Sequence, residues 1–269
     1  MNPFKSAKRI VVKVGSSTLT YDTGLMNFGR IEVLAKVLAD LQNSGREIIL
    51  VSSGAIAVGV ARLGLGQRPK DTPSKQAAAA IGQCQLMAIY DRFFSAYGQT
   101  VAQILLMRNI LEMPTFKAHV TNAFDKLLEM KAIPIVNEND SVSIAELGPS
   151  DNDTLSAIVA TIVKADALVL LSDIDGLFDS DPRKNENARL IPHIGRIDER
   201  IEALAGDPGS ERGVGGMATK IEAAKMMFNE NIPMAIINGA DPALLYKLCA
   251  GEQAGTTFFT TGGGISWQP

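Results

Sequence analysis

Strands and helices alternate along this chain, so the sequence predicts an α/β fold with a mainly parallel central sheet. Three observations carry the prediction. Short β-branched and aliphatic runs recur at Ile10–Val14, Glu47–Val51, Thr100–Leu106, Ile133–Val136, Ala167–Leu171 and Pro233–Ile237. Segments of helical length and spacing separate them, which implies a sheet covered by helices on both faces. Polar and glycine-rich residues follow at least five of the strands. That is where open parallel sheets bind ligands.

The elements follow in order. Ile10–Val14 is closed by Gly15. Met26–Gln42 carries apolar residues at helical spacing and stops at Asn43-Ser44-Gly45. Glu47–Val51 leads into Ser52-Ser53-Gly54. Ser74–Tyr97 reads as a long helix, rich in Ala and Gln in its first half. Thr115–Met130 is helical between the strands Thr100–Leu106 and Ile133–Val136. Thr154–Lys164 is a helix before the apolar strand Ala167–Leu171. Met217–Asn229 is a helix before the strand Pro233–Ile237. Gly255–Pro269, with Gly262-Gly263-Gly264, is expected to form an edge hairpin or to fray. No linker-like composition shift appears before residue 250, so residues 1–269 read as one domain of two lobes on a continuous sheet, about 1–171 and about 172–269.

Composition narrows the function classes. Of 269 residues, 46% are hydrophobic and 20% charged, the balance of a globular protein with a full core. The formal net charge of −3 argues against general affinity for nucleic acid, which needs a basic surface. No apolar run approaches the roughly 20 residues that span a bilayer, and the polar start Met1–Arg9 does not read as a signal peptide. Cys84 and Cys249 are far apart in sequence, which suggests neither a disulfide scaffold nor a zinc site and fits a reducing cytoplasm.

Phosphate chemistry is the next signal. Lys13 interrupts an apolar strand and precedes Gly15-Ser16-Ser17; buried there it would need an anion. An edge-strand lysine facing water is the alternative. Ser52-Ser53-Gly54-Ala55 opens a helical segment, where amides and hydroxyls suit a carboxylate or phosphate, or where serine simply caps a helix. Asn137-Glu138-Asn139-Asp140 and Asp151-Asn152-Asp153 flank one loop. Their carboxylates and carboxamides can bind an ammonium group, and Asp153 can position lysines; ordinary loop and capping chemistry is the alternative. Ser172-Asp173 ends a strand, where a nucleotide would rest.

The most informative stretch is Gly213-Val214-Gly215-Gly216-Met217-Ala218-Thr219-Lys220. Amides at a helix start, the helix dipole and Lys220 would converge on phosphates. It is not a Walker loop, because Thr219 rather than glycine precedes the lysine. It matches a dinucleotide fingerprint in spelling, but Glu202–Arg212 before it reads as helix then loop rather than strand. His119 and His193 read as structural, Met226-Met227-Phe228 as core, and Asp179–Arg189 as a solvated loop.

Together, Val12–Ser17, Val51–Ala57, Asn137–Asp140, Asp151–Ala157 and Gly215–Lys220, in this order, closely resemble the glutamate 5-kinases of the amino acid kinase family. The resemblance runs from about Lys8 to about Thr257. It implies a three-layer αβα sandwich and transfer of a phosphoryl group from ATP to the L-glutamate side chain, the first step of proline synthesis. By matching positions, Ser53, Asp140 and Asn152 would hold glutamate in the N-terminal lobe. Ser172, Asp173 and Val214–Lys220 would hold ATP in the C-terminal lobe, with Lys13 on the phosphates, Asp153 orienting Lys13 and Lys220, and Mg²⁺ carried by the nucleotide rather than by a protein metal site. The resemblance further implies a homo-oligomer (dimer or tetramer), feedback inhibition by L-proline, and transient contact with glutamyl phosphate reductase. It is to the short form, since the chain stops about where a C-terminal PUA domain would begin. Alternatives are a kinase of the same fold acting on acetylglutamate, carbamate, aspartate or a nucleotide, a nicotinamide-dependent oxidoreductase, and a non-catalytic amino-acid sensor. Gly15-Ser16, where acetylglutamate kinases usually carry paired glycines, disfavours the first of these. Retention of both lysines disfavours the last.

Overall fold

A computed structural model describes residues 2–21, 23–142, 152–204 and 216–260. A short helix α1 (Pro3–Ser6) leads into β1 (Arg9–Val14), α2 (Ser16–Leu19) and α3 (Phe28–Asn43). Next come β2 (Glu47–Ser52), α4 (Ala55–Leu63), α5 (Thr72–Ala96) and β3 (Val101–Leu106). A 3₁₀ turn (Arg108–Glu112), α6 (Pro114–Glu129), β4 (Ile133–Glu138), α7 (Asn152–Ile162) and β5 (Ala167–Ser172) follow. The last part holds β6 (His193–Ile194), α8 (Glu199–Leu204), α9 (Met217–Asn229), β7 (Met234–Asn238), α10 (Leu244–Ala250) and β8 (Thr256–Phe258).

The described strands form one eight-stranded sheet in the order β3-β4-β2-β1-β5-β7-β8-β6. Neighbours are parallel except β7 and β8. β1 therefore lies at the centre, between β2 and β5, and the edge-strand reading of Lys13 does not hold. The expected tail hairpin at the sheet edge also needs correction. β8 is inserted between β7 and β6, and buried Thr256 fixes it there. Its Oγ1 donates to the Ile191 carbonyl (2.6 Å) and accepts from the Leu177 amide (2.8 Å). Residues 261–269 lie outside the described part. β6 also places His193 in a strand.

Strand alternation sorts the core into two layers. Ile10, Val12 and Val14 of β1 point into the layer containing α3, α5 and α10. Val11 points the other way, into the layer containing α7 and α9. Lys13 shares the parity of Val11, so it emerges toward α7 and α9 at the carboxyl end of the central strand. That register places a lysine where the site forms.

Candidate active site

Lys13 is only 7% exposed and Lys220 only 6%, and both meet one carboxylate. Lys13 Nζ lies 2.5 Å from Asp153 Oδ1, and Lys220 Nζ lies 3.0 Å from Asp153 Oδ2. Thr219 Oγ1 donates to the same Oδ2 at 2.9 Å. Asp153 is fully buried in the first turn of α7, where the helix dipole also favours a negative charge. Burial alone would raise its pKa. The charges of Lys13 and Lys220 outweigh that and hold it at about 2, below the ordinary 3.8. Two ammonium groups thus meet one carboxylate, a surplus of positive charge within this trio. An ATP phosphate suits that surplus.

Lys13 and Lys220 line a cavity of about 670 Å³ together with Ser53, Asp140, Asn152, Ser172 and Asp173. These seven predicted residues, from both halves of the chain, thus converge on one space at the carboxyl ends of the strands. Asp173 pairs with the guanidinium of Arg183 at 3.4 Å. Met217, Ala218 and Thr219 form the first turn of α9 beside Lys220 and do not line the cavity. Gly216 caps that helix with extended backbone and no side-chain bond, leaving the first-turn amides unclaimed by a cap. Val214 and Gly215 lie outside the described residues.

Apart from Asp140, the second pole of the cavity is built from neutral groups. Gly54, with φ of 100°, turns the chain from β2 into α4, a conformation that favours glycine. Gly54–Ala57 then line the cavity with the start of that helix. Asn152 Nδ2 shares its two protons among the Ser52 carbonyl (2.8 Å), Ser53 Oγ (2.9 Å) and Asn137 Oδ1 (3.0 Å). Asn152 Oδ1 is buried and has no hydrogen-bond partner among the described residues.

Sequence reasoning missed several contributors. Thr23–Leu25 and the segment Gly64, Gly66–Arg68 also line the cavity. They carry no signal beyond glycines in a loop. Gln83, on α5, bonds to Asn137 from distant sequence. His119 is exposed and His193 packs against Phe259, with ring centroids 4.4 Å apart; neither lines the cavity. Burial pulls the His193 pKa down.

Residues 8–238 match the model of the amino acid kinase family. This chain belongs to the amino acid kinase family. Curated relatives of this amino acid kinase are similar over nearly their whole length. A glutamate 5-kinase of Clostridium perfringens is 52% identical over 258 residues, covering 94% of this chain and 96% of the relative. A glutamate 5-kinase of Enterococcus faecalis is 48% identical over 265 residues, covering 97% and 98%. Among solved structures, a UMP kinase from Bacillus anthracis aligns with a TM-score of 0.63 at 16% identity, covering 94% of this chain and 96% of that one. An isopentenyl phosphate kinase aligns at 0.64 and 16%, covering 93% and 99%. At that identity the two structures speak for the fold alone, the helix-flanked, mostly parallel sheet expected of this amino acid kinase.

Proposed function

We propose that this amino acid kinase transfers the γ-phosphoryl group of ATP to the side-chain carboxylate of L-glutamate. The product is γ-glutamyl phosphate (L-glutamyl 5-phosphate), the first intermediate of proline biosynthesis. The observation that carries the reading is the Lys13–Asp153–Lys220 cluster sharing one cavity with Ser53, Asp140 and Asn152. Relatives about half identical that are called glutamate 5-kinase support the choice of acceptor.

The chemistry asks little of the protein in proton transfer. A glutamate carboxylate has a pKa of about 4.3 and is already an anion at neutral pH. One carboxylate oxygen attacks the γ-phosphorus in line, the bond to the β-phosphate oxygen breaks, and ADP leaves with the electron pair. An anion attacks an anion, so charge neutralisation and alignment supply the catalysis. Lys13 and Lys220 are the neutralising groups, and Asp153 keeps both ammonium groups in place. Ser172, Asp173 and the start of α9, with Val214–Thr219, are assigned to ATP. Asp140 and the Asn152 amide are assigned to the amino acid's ammonium group, with Ser53 on a carboxylate. Residues up to about 171 thus supply the acceptor end and those from about 172 the nucleotide end.

Among the described residues no group of three His, Cys, Asp or Glu could hold a metal ion. Asp153 is committed to its lysines, which fits Mg²⁺ arriving on the nucleotide phosphates; when bound it neutralises phosphate charge. No helix among the described residues is long and apolar enough to cross a membrane. Cys84 and Cys249 are free thiols, in keeping with a cytoplasmic setting. The proposal extends to a dimer or tetramer, to inhibition by L-proline around the glutamate site, and to transient contact with the reductase that consumes the labile product. Activity unchanged at high proline removes the regulatory part.

The test is acyl-phosphate trapping. Incubation with ATP, Mg²⁺, hydroxylamine and L-glutamate is expected to give the γ-hydroxamate. Product with acetylglutamate or aspartate, and none with glutamate, refutes the substrate.

A further inference from the structure

A line of neutral amides runs from the edge strand β3 to the acceptor end of the cavity. Gln83 Nε2 donates to Gln103 Oε1 (3.3 Å), Asn137 Nδ2 donates to Gln83 Oε1 (2.8 Å), and Asn152 Nδ2 donates to Asn137 Oδ1 (3.0 Å) and to Ser53 Oγ (2.9 Å). Gln83, Asn137 and Asn152 are all buried. Oxygen and nitrogen of an amide look alike, so the direction of such a line must be fixed from outside it. Two backbone groups fix it here. The Glu138 amide donates to the side chain of Asn137 at 2.9 Å, so the facing atom must be Oδ1. The Ser52 carbonyl accepts from Asn152 at 2.8 Å, so the facing atom must be Nδ2. Asn137 then has only its Nδ2 to offer Gln83, and Gln83 must answer with Oε1.

The consequence reaches Ser53. Its Oγ faces Asn152 Nδ2, which shares two protons among three acceptors and cannot itself accept, so the Ser53 hydroxyl proton is directed elsewhere, and Ser53 lines the cavity. A hydroxyl whose lone pair is already engaged serves as a donor, the role a substrate carboxylate requires. Hydrogen bonds polarised head to tail strengthen one another.

Gln83 is well placed to hold the line still. Its neighbour Gly82 lets α5 touch α4 backbone to backbone, since a Cβ there would lie 1.8 Å from the Ala55 carbonyl oxygen. Two turns further along α5, buried Tyr90 bonds its hydroxyl to Ser52 Oγ at 2.8 Å. Helix α5 thus grips both β2 and β4 where they enter the site.

We infer that Gln83 is a positioning residue for the acceptor: its Oε1 holds the Asn137 amide in the sense that the Glu138 amide sets, and so steadies Asn152 and the Ser53 hydroxyl beside it. This rests on the glutamate reading above. Removing that oxygen leaves a buried Asn137 amide without its partner, which favours rotation of Asn137 and loss of order down the line.

The experiment compares wild type, Gln83→Met and Gln83→Glu by steady-state kinetics with glutamate and ATP varied separately, alongside thermal melting. Methionine keeps the volume and removes the acceptor; glutamate keeps the acceptor for Asn137. Gln83→Met is expected to raise the KM for glutamate at least tenfold, with the KM for ATP within twofold and a folded melting transition. Gln83→Glu is expected to recover most of the glutamate affinity. A KM for glutamate unchanged in Gln83→Met, or the same rise in KM for both substrates, overturns the inference. So does a Gln83→Glu variant that folds and is as impaired as Gln83→Met. If Gln83→Met does not fold, Gln83→Glu against wild type decides, since a carboxylate acceptor must preserve the glutamate KM within about threefold. If wild type itself makes no γ-glutamyl phosphate, the glutamate reading fails first and this inference falls with it.

Discussion

Replacing Gly82 with alanine tests whether the site is held by direct backbone contact between α4 and α5. The added Cβ would sit 1.8 Å from the Ala55 carbonyl oxygen, 2.5 Å from the Gly59 amide nitrogen and 2.8 Å from the Ala55 carbonyl carbon. All three are backbone atoms, so no flexible side chain can swing away. Ordinary contact begins near 3.4 Å, so the helices must part by about 1.6 Å at this point. Overpacking of this kind costs about 1–3 kcal/mol, and a rigid obstacle points to the upper end. In a domain of this size that corresponds to a fall in Tm of about 6–12 °C. The displaced Ala55 atoms belong to the first turn of α4, which lines the cavity. A misplacement of about 1 Å at a reacting site can cost about a hundredfold in rate. We therefore expect kcat/KM for glutamate to fall at least about tenfold, beyond what partial unfolding explains. Differential scanning calorimetry and steady-state kinetics read both effects. Gly29→Ala is the control. Its Cβ would meet only Asn27 Oδ1 at 3.8 Å, and alanine gains up to about 1 kcal/mol in helix propensity. A Gly82→Ala protein that melts within about 1 °C of wild type with unchanged kinetics would falsify the close-contact argument.

Lys220→Ala removes one of the two ammonium groups on Asp153 and with it a positive charge at the cavity. Turnover should drop about 10²–10³-fold with the fold intact, and near-normal turnover means the phosphate end is misplaced. The Asp153 carboxyl is held at about 2, below its ordinary 3.8. A depressed carboxylate pKa gives stability that is complete above about pH 4 and drains away as pH falls through 2. The urea midpoint difference between wild type and Asp153→Asn should therefore be constant above about pH 5 and shrink below pH 4; a gap independent of pH down to 2.5 contradicts the ion cluster. Tyr90→Phe removes the hydroxyl bonded to Ser52 and should cost about 1 kcal/mol, a few degrees in Tm, while kcat stays within about twofold. A large kcat defect would show that Tyr90 reaches the reaction itself.

Most of the sheet could be read from the sequence because its strands are buried on both faces and therefore appear as unbroken apolar runs. Ala167–Ser172 is the clearest case, with every residue buried. Strand order could not be read, because the positions of β4 between β3 and β2 and of β8 between β7 and β6 depend on crossover packing rather than on local pattern. β8 is three residues long, and its place depends on Thr256 meeting Leu177 and Ile191, more than 60 residues away. β6, with two residues, has no period to detect. Helix α4 was only hinted at, since Gly59 inside it lowers helix propensity; the glycine is there because Ala78 of α5 occupies the space a side chain would need.

The two ends of the cavity differed in legibility for a reason that also bears on how they work. The phosphate end is built from net charge. A lysine in an apolar strand, an aspartate at a helix start and a lysine after glycines each carry an electrostatic cost that only a common partner relieves, so residue type alone points to their meeting. Apart from Asp140, the proposed acceptor end is built from the orientation of neutral groups. Asn137, Gln83 and Asn152 have no charge to betray them, and the same side chains turned by 180° would present the opposite pattern of donors and acceptors. Only the Glu138 amide and the Ser52 carbonyl decide between the two, and both are fixed by strands rather than by neighbours in sequence. A phosphate needs strong, undirected attraction. A substrate that must be told apart from other carboxylates needs donors and acceptors locked in one sense, because a group able to rotate would satisfy the wrong partner as readily as the right one. On that argument, the proposed site assignment puts discrimination among acceptors in the buried amide line and rate in the lysines.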